Sequence, residues 1–222
     1  MKTLVNTTLC YIEKDGCYLM LHRTKKENDY NHDKWIGIGG KFENGESPED
    51  CVRREVFEET GLVIAADDLE YCGIVTFVDV SNVEEGVEGR WRPVFDSKAL
   101  KKMRKHFLAL PHLSVEKEKA PVTPPLPVPG AYTEFMHIFR ARTFSGSLRT
   151  DCPEGDLEWV PISKLKDLPH WQADEIFYDF LAENHPFYSL KVIYKDNILQ
   201  KVYLAGKPYD HWASLPKDAT SN

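Results

Sequence analysis

Residues 3–12 and 17–23 are apolar-rich runs that read as two strands. Between them, "KDG" offers Asp15-Gly16, residues that tolerate positive φ, so the chain opens with a β-hairpin. After a polar stretch, "WIGIGG" brings a short apolar strand into paired glycines. The pattern then changes to the helical period. Ser47 is a candidate N-cap, Pro48 suits the first turn, Asp50 stands where a capping-box acid would, and Gly61 closes the helix. "LEYCGIVTFVDV" and "TEFMHIFRART" read as strands that neighbour each other if the segment between them is looped out. Beyond them come a short strand "LEWVPI", a helix from about Trp171 to Asn184, a hairpin "FYSLKVIY-KDN-ILQKVYL" and a polar tail. The chain divides on this reading into a main domain over 1–204, an insertion over 82–130 inside it, and the tail over 205–222.

Charge changes this picture only locally. The chain carries a formal net charge of −7 in 222 residues, which argues against a general coat for nucleic acid or membrane. Between Arg90 and Leu110, however, seven Lys or Arg face Asp96 alone. Leu100, Met103, Phe107 and Leu110 fall on one stripe and Lys98, Lys101, Lys102 and Lys105 on the other, the pattern of a basic amphipathic helix. "PVTPPLPVPG" then puts five prolines in ten residues, an extended tether. The expectation is a lid that presents lysines to an anionic ligand, with a surface appendage or oligomer contact as the other reading. The five cysteines are widely spaced and include no C-x-x-C, so neither a disulfide framework nor a zinc site is expected. With no signal peptide and no apolar run long enough to span a bilayer, the expected location is the cytoplasm.

One stretch works against itself. In "REVFEETG" the spacings i, i+3 and i+4 place Glu55, Glu58 and Glu59 on one helix face, where like charges cost about 0.2–0.5 kcal/mol per pair unless a cation compensates. Hard divalent cations take oxygen ligands, so such a face suits Mg²⁺, and a metal-bound phosphate chain is open to attack by water. Arg54 can orient the carboxylates, and Gly39-Gly40 lets backbone oxygen approach closely.

From Gly40 to Leu62 the spacing is Gly40, five residues, Glu46, seven residues, then Arg54-Glu55-Val56-Phe57-Glu58-Glu59-Thr60-Gly61-Leu62. This resembles the Nudix hydrolase motif at every fixed position. The resemblance extends over roughly 3–81 and 131–204 and is nearest to the MutT and MTH1-like branch, the oxidised purine nucleoside triphosphatases. It implies an α/β Nudix fold, a mixed β-sheet sandwiched between helices with an inserted segment. It also implies Mg²⁺, with Mn²⁺ as a substitute, held by Glu55, Glu58, Glu59, the Gly39 carbonyl and Glu154, the acid before the Trp of "EGDLEW". Catalytic support comes from Glu58, Arg54 and Glu46. In this branch Asp174 of "WQAD" reads the purine edge, although an Asp there also suits a helix cap. Trp171 stacks on the base or fills core. Arg23 and Ile36 complete the substrate-binding candidates, with Ile36 where an MTH1-type site has Asn and Ala173 where it has a second Asp. The expected reaction is conversion of (oxidised) purine (d)NTPs such as 8-oxo-dGTP to NMP and pyrophosphate. The rivals are another nucleoside diphosphate derivative, an RNA cap, or a non-catalytic nucleotide- or protein-binding sensor. The expected partner is a small nucleotide; nucleic acid and membrane are not expected, and oligomeric state is not legible.

Overall fold

The computed structural model describes residues 4–25, 29–83 and 131–214. The opening hairpin joins β1 (Leu4–Lys14) to β2 (Cys17–His22) through Asp15 and Gly16, both at positive φ. β3 (Trp35–Ile36) is shorter than the apolar run suggests, because the chain from 37 onward touches β1 only through isolated bridges at Ile38 and Lys41. Helix α1 (Pro48–Thr60) begins in the expected capping box. The Asp50 N–H donates to Ser47 Oγ at 3.1 Å and the Ser47 N–H to Asp50 Oδ2 at 3.1 Å. Gly61 ends the helix in the left-handed region at φ 75°.

β5 (Leu69–Asp79) and β6 (Tyr132–Ala141) pair antiparallel as expected, out to Asp79 opposite Tyr132, so the chain leaves and re-enters the sheet at adjacent positions. β1 lies parallel to β6, and β9 (Tyr188–Lys195) lies parallel to β5 and antiparallel to β10 (Ile198–Leu204). β8 (Asp156–Pro161) pairs with β2. A small ladder of β4 (Leu62–Val63) and β7 (Ser145–Gly146), absent from the sequence reading, pins the end of α1.

The mixed sheet is covered on both faces. Val52 and Val56 of α1 pack with Cys10, Ile12, Ile38 and Phe139, while Ile176, Phe177, Phe180 and Leu181 of α2 (Asp174–Ala182) pack with Tyr11, Ile138, Leu190 and Val192. This is the expected α/β sandwich. Helix α2 starts later than expected, since Asp174 turns back to the preceding turn. The tail also departs from expectation. Ala205 and Gly206 turn at positive φ into β11 (Lys207–Pro208), which extends the sheet, and Tyr209 and Trp212 pack against the core below α2. Two aromatic side chains outweigh the polar composition around them. The basic helix and the proline-rich tether expected within the insertion, and the tail beyond Ser214, lie outside the described residues. Among the described residues no helix is long and apolar enough to cross a membrane.

Candidate active site

Helix α1 presents its acidic face at the bend where residues 37–41 leave β3. Arg54 gathers the acids: Nε and Nη2 donate to the two Glu46 oxygens at 2.6 and 3.0 Å, and Nη1 donates to Glu55 Oε1 at 2.8 Å and Glu58 Oε2 at 3.2 Å. Nη2 also reaches the Lys41 carbonyl at 3.0 Å, tying helix to loop. The Arg54 hydrogen bonds, with a further one from the Glu43 N–H, bring the Glu46 carboxyl down to about 2. Glu55 is moved the other way, upward, because burial disfavours its charge more than Arg54 supports it. Glu59 is only 4% exposed and accepts from the Gly39 N–H at 3.2 Å. Glu58 points outward, with its side chain 58% exposed.

The two glycines are required by contact. A Cβ on Gly39 would stand 2.0 Å from the Thr8 carbonyl oxygen, and one on Gly40 would stand 2.5 Å from the Glu55 carboxyl. The carboxylates and carbonyls at this bend are oxygen donors, which suit a hard divalent cation, with the Cys51 thiol beside them against the Gly40 carbonyl. Among the described residues no three His, Cys, Asp or Glu side chains are grouped as around a bound ion. Arg54 and the Gly39 N–H are the groups that hold the carboxylates.

Glu154 belongs to a loop fastened beside this face. Cys152 is buried in the core cluster of α1, and its thiol is pushed up first by burial and then by the Glu59 carboxylate. Lys25 Nζ donates to the Cys152 carbonyl at 2.6 Å, and Gly155 packs so close to the end of β2 that a Cβ would meet the His22 carbonyl. Within that loop Glu154 is paired with Arg23, which also donates from Nε to Asp29 Oδ2 at 2.7 Å. The structure therefore brings together two candidates, Arg23 and Glu154, that the sequence separates by 131 positions.

The remaining candidates lie beside α2. Trp171 is 8% exposed; Tyr30 stacks on it at 4.8 Å and 17°, Lys34 Nζ stands 4.5 Å from its ring centre, and its Nε1 donates to Asn31 Oδ1 at 2.8 Å. Phe77 meets the same ring edge-on at 6.0 Å. Asp174 accepts from the Trp171 N–H at 3.2 Å, which caps the turn before α2 and lends substance to the local reading of that acid. Ile36 is buried in the α1 cluster opposite Leu21, a different cluster from that of Trp171. Tyr30, Asn31 and Lys34 were not legible as site residues. They lie in a polar, aperiodic segment, and their only signal is a lone aromatic five positions before Trp35.

Residues 3–106 match the NUDIX domain family. The match covers a little under half of the chain, with the carboxylate face of α1 inside it. The chain is 24% identical over 185 residues to the uncharacterized Nudix hydrolase YvcI of Bacillus subtilis, covering 82% of each. It is 37% identical over 59 residues to the oxidized purine nucleoside triphosphate hydrolase of Danio rerio, a stretch that spans 27% of this chain and 36% of that one. Its fold is similar to that of the MutT protein of Bacillus halodurans, with a TM-score of 0.61 and 21% identity over 92% of this chain and 99% of that one. The MutT protein of Methanosarcina mazei matches at a TM-score of 0.50 and 18% identity, over 83% and 97%.

Proposed function

We propose that this protein is a Mg²⁺-dependent Nudix nucleoside triphosphate diphosphatase that converts purine (d)NTPs, oxidised ones such as 8-oxo-dGTP included, to the monophosphate and pyrophosphate. The observation that carries the reading is the Arg54-gathered carboxylate face of α1, set against Gly39 and Gly40. Support for the substrate comes from the aromatic surface around Trp171 and from the partial match to a hydrolase of oxidised purine nucleoside triphosphates.

Glu55 and Glu59 would hold the cation, with Glu58, Glu154 and the Gly39 carbonyl around it. When bound, the cation neutralises the phosphate oxygens and acidifies a water. The chain's own residues do the rest. Arg54 keeps Glu46, Glu55 and Glu58 in register on one helix turn. Glu58, the outward carboxylate, takes at Oε2 the proton of the water that attacks phosphorus; the anhydride P–O bond breaks and pyrophosphate leaves with the electron pair. Arg23, held by Asp29 and Glu154, would supply a guanidinium to a phosphate. The Tyr30 ring, stacked on Trp171, would support the base.

Liquid chromatography of products from canonical and oxidised (d)NTPs with Mg²⁺ tests the reading. Monophosphate with pyrophosphate is expected. Diphosphate with inorganic phosphate, or turnover confined to capped RNA or nucleoside diphosphate derivatives, would replace it.

A further inference from the structure

The sheet face beneath Trp171 contains an acid for which the hydrolytic chemistry has no use. In β6, Glu134 stands opposite Phe77 of β5 and Val5 of β1, and side chains at alternate positions put Glu134 on the same face as Phe77, Thr7 and Met136. Around the Phe77 ring are Trp171 at 6.0 Å, Tyr30 at 6.0 Å and Tyr132 at 6.4 Å. Glu134 thus joins the aromatic cleft next to the ring it faces. Thr7 Oγ1 donates to its Oε1 at 2.7 Å and the Tyr132 hydroxyl to its Oε2 at 2.9 Å. Among the described residues it has no cationic partner: Lys41, across the bridge from Thr7, is exposed and forms no ion pair with it.

A half-buried carboxylate among aromatic rings, held only by neutral hydroxyls, is costly. The fold alone does not ask for the charge, because a neutral amide could accept from one hydroxyl at its oxygen and donate to the other from its NH2. The charge is nonetheless felt across the cleft. After burial, Glu134 is the largest influence raising the Tyr132 phenol, and after burial and Asp79 it also raises that of Tyr30. An ionised carboxylate is an acceptor only, so its complement is a planar group with two adjacent N–H donors.

We propose that Glu134 selects guanine, receiving N1–H and the 2-amino group of the base on its two oxygens while the ring lies beside the exposed Tyr30 that stacks on Trp171. Adenine places the acceptor N1 beside its amino group and so meets the carboxylate with a lone pair. The contact does not separate oxidised from ordinary guanine, because both carry this edge. The inference rests on the reading of this surface as a nucleobase cleft, and it goes further by naming the residue and the base.

Equilibrium binding of dGMP and dAMP, followed by tryptophan fluorescence, tests it without catalysis. The wild type is expected to bind dGMP more tightly by about tenfold or more, the size of one good bidentate pair. E134Q, whose amide offers one donor and one acceptor, is expected to lose that margin through weaker dGMP binding and tighter dAMP binding. Y132F, which frees one carboxylate oxygen, is expected to reduce the margin by less, and it serves as the second probe if E134Q does not fold. Equal binding of the two nucleotides, no binding of either, or a guanine margin that persists in both variants overturns the proposal. A dGMP margin lost in E134Q, in a protein that hydrolyses no triphosphate, would instead leave Glu134 as the guanine reader and remove the diphosphatase reading.

Discussion

Gly39 and Gly40 are adjacent, yet substitutions there should fail in different ways. A methyl on Gly39 meets the Thr8 backbone, which cannot move cheaply, so Gly39→Ala is expected to cost upward of about 2 kcal/mol in thermal unfolding. A methyl on Gly40 meets the end of the Glu55 side chain, so Gly40→Ala should fold and lose roughly 100-fold in kcat through a displaced carboxylate. Glu46 and Glu55 separate stability from function by pH. The folded-state carboxyl of Glu46 lies at about 2 against an ordinary 4.5, so its contribution to stability is present above 4.5 and is lost as pH falls from there toward 2. Glu46→Gln is expected to flatten the stability profile across that window. Burial raises Glu55 instead, so its charged form lowers stability at neutral pH, and Glu55→Gln should raise Tm while removing turnover. A lower Tm for Glu55→Gln would show that the Arg54 contact outweighs desolvation. The gathering of Glu55 and Glu58 by Arg54 was legible from helical spacing, and that of Glu46 from the motif the stretch resembles, because all lie within one helix and its leading loop. The hold of Arg23 on Glu154 and the place of Glu134 were not readable, since each depends on partners more than a hundred positions away.

The elements around the site owe their ends to local chemistry, which is why most of them could be drawn in advance. The Ser47–Asp50 box and Gly61 set α1, and Ser47→Ala is expected to lower stability by about 1 kcal/mol with kcat unchanged, since the cap lies at the opposite end from Glu58 and Glu59. A matching loss of kcat would mean that the acidic face depends on the first turn. The last turn carries those two glutamates and no basic residue, against the helix dipole, a stability deficit placed where a cation is expected. The two-residue ladder of β4 and β7 escaped the sequence because its pairing is too short to leave a period. Helix α2 was drawn too early because Trp171 continues its apolar pattern, while Asp174 accepts from the Trp171 N–H and closes a separate turn.

At the scale of the molecule, the sheet carries three groups of candidate residues: α1 and the Gly39 bend on one face, the 152–155 loop at the end of β2, and the aromatic surface under α2. Since Asp79 and Tyr132 are paired neighbours, replacing residues 84–130 by a short Gly/Ser linker is expected to leave the sheet intact, with a cooperative thermal transition as the check. The apolar strand runs and the capped helix made the sandwich legible, whereas β11 was hidden by the polar composition that surrounds Tyr209 and Trp212. The central claim is that the carboxylate face of α1 drives a cation-dependent release of pyrophosphate, and the most direct measurement compares pyrophosphate release from dGTP by wild type and Glu59→Gln, with and without Mg²⁺. Release by the wild type only with Mg²⁺, falling roughly 100-fold in a folded Glu59→Gln, is the predicted result. Equal release by both proteins, or release that does not require a divalent cation, would contradict it.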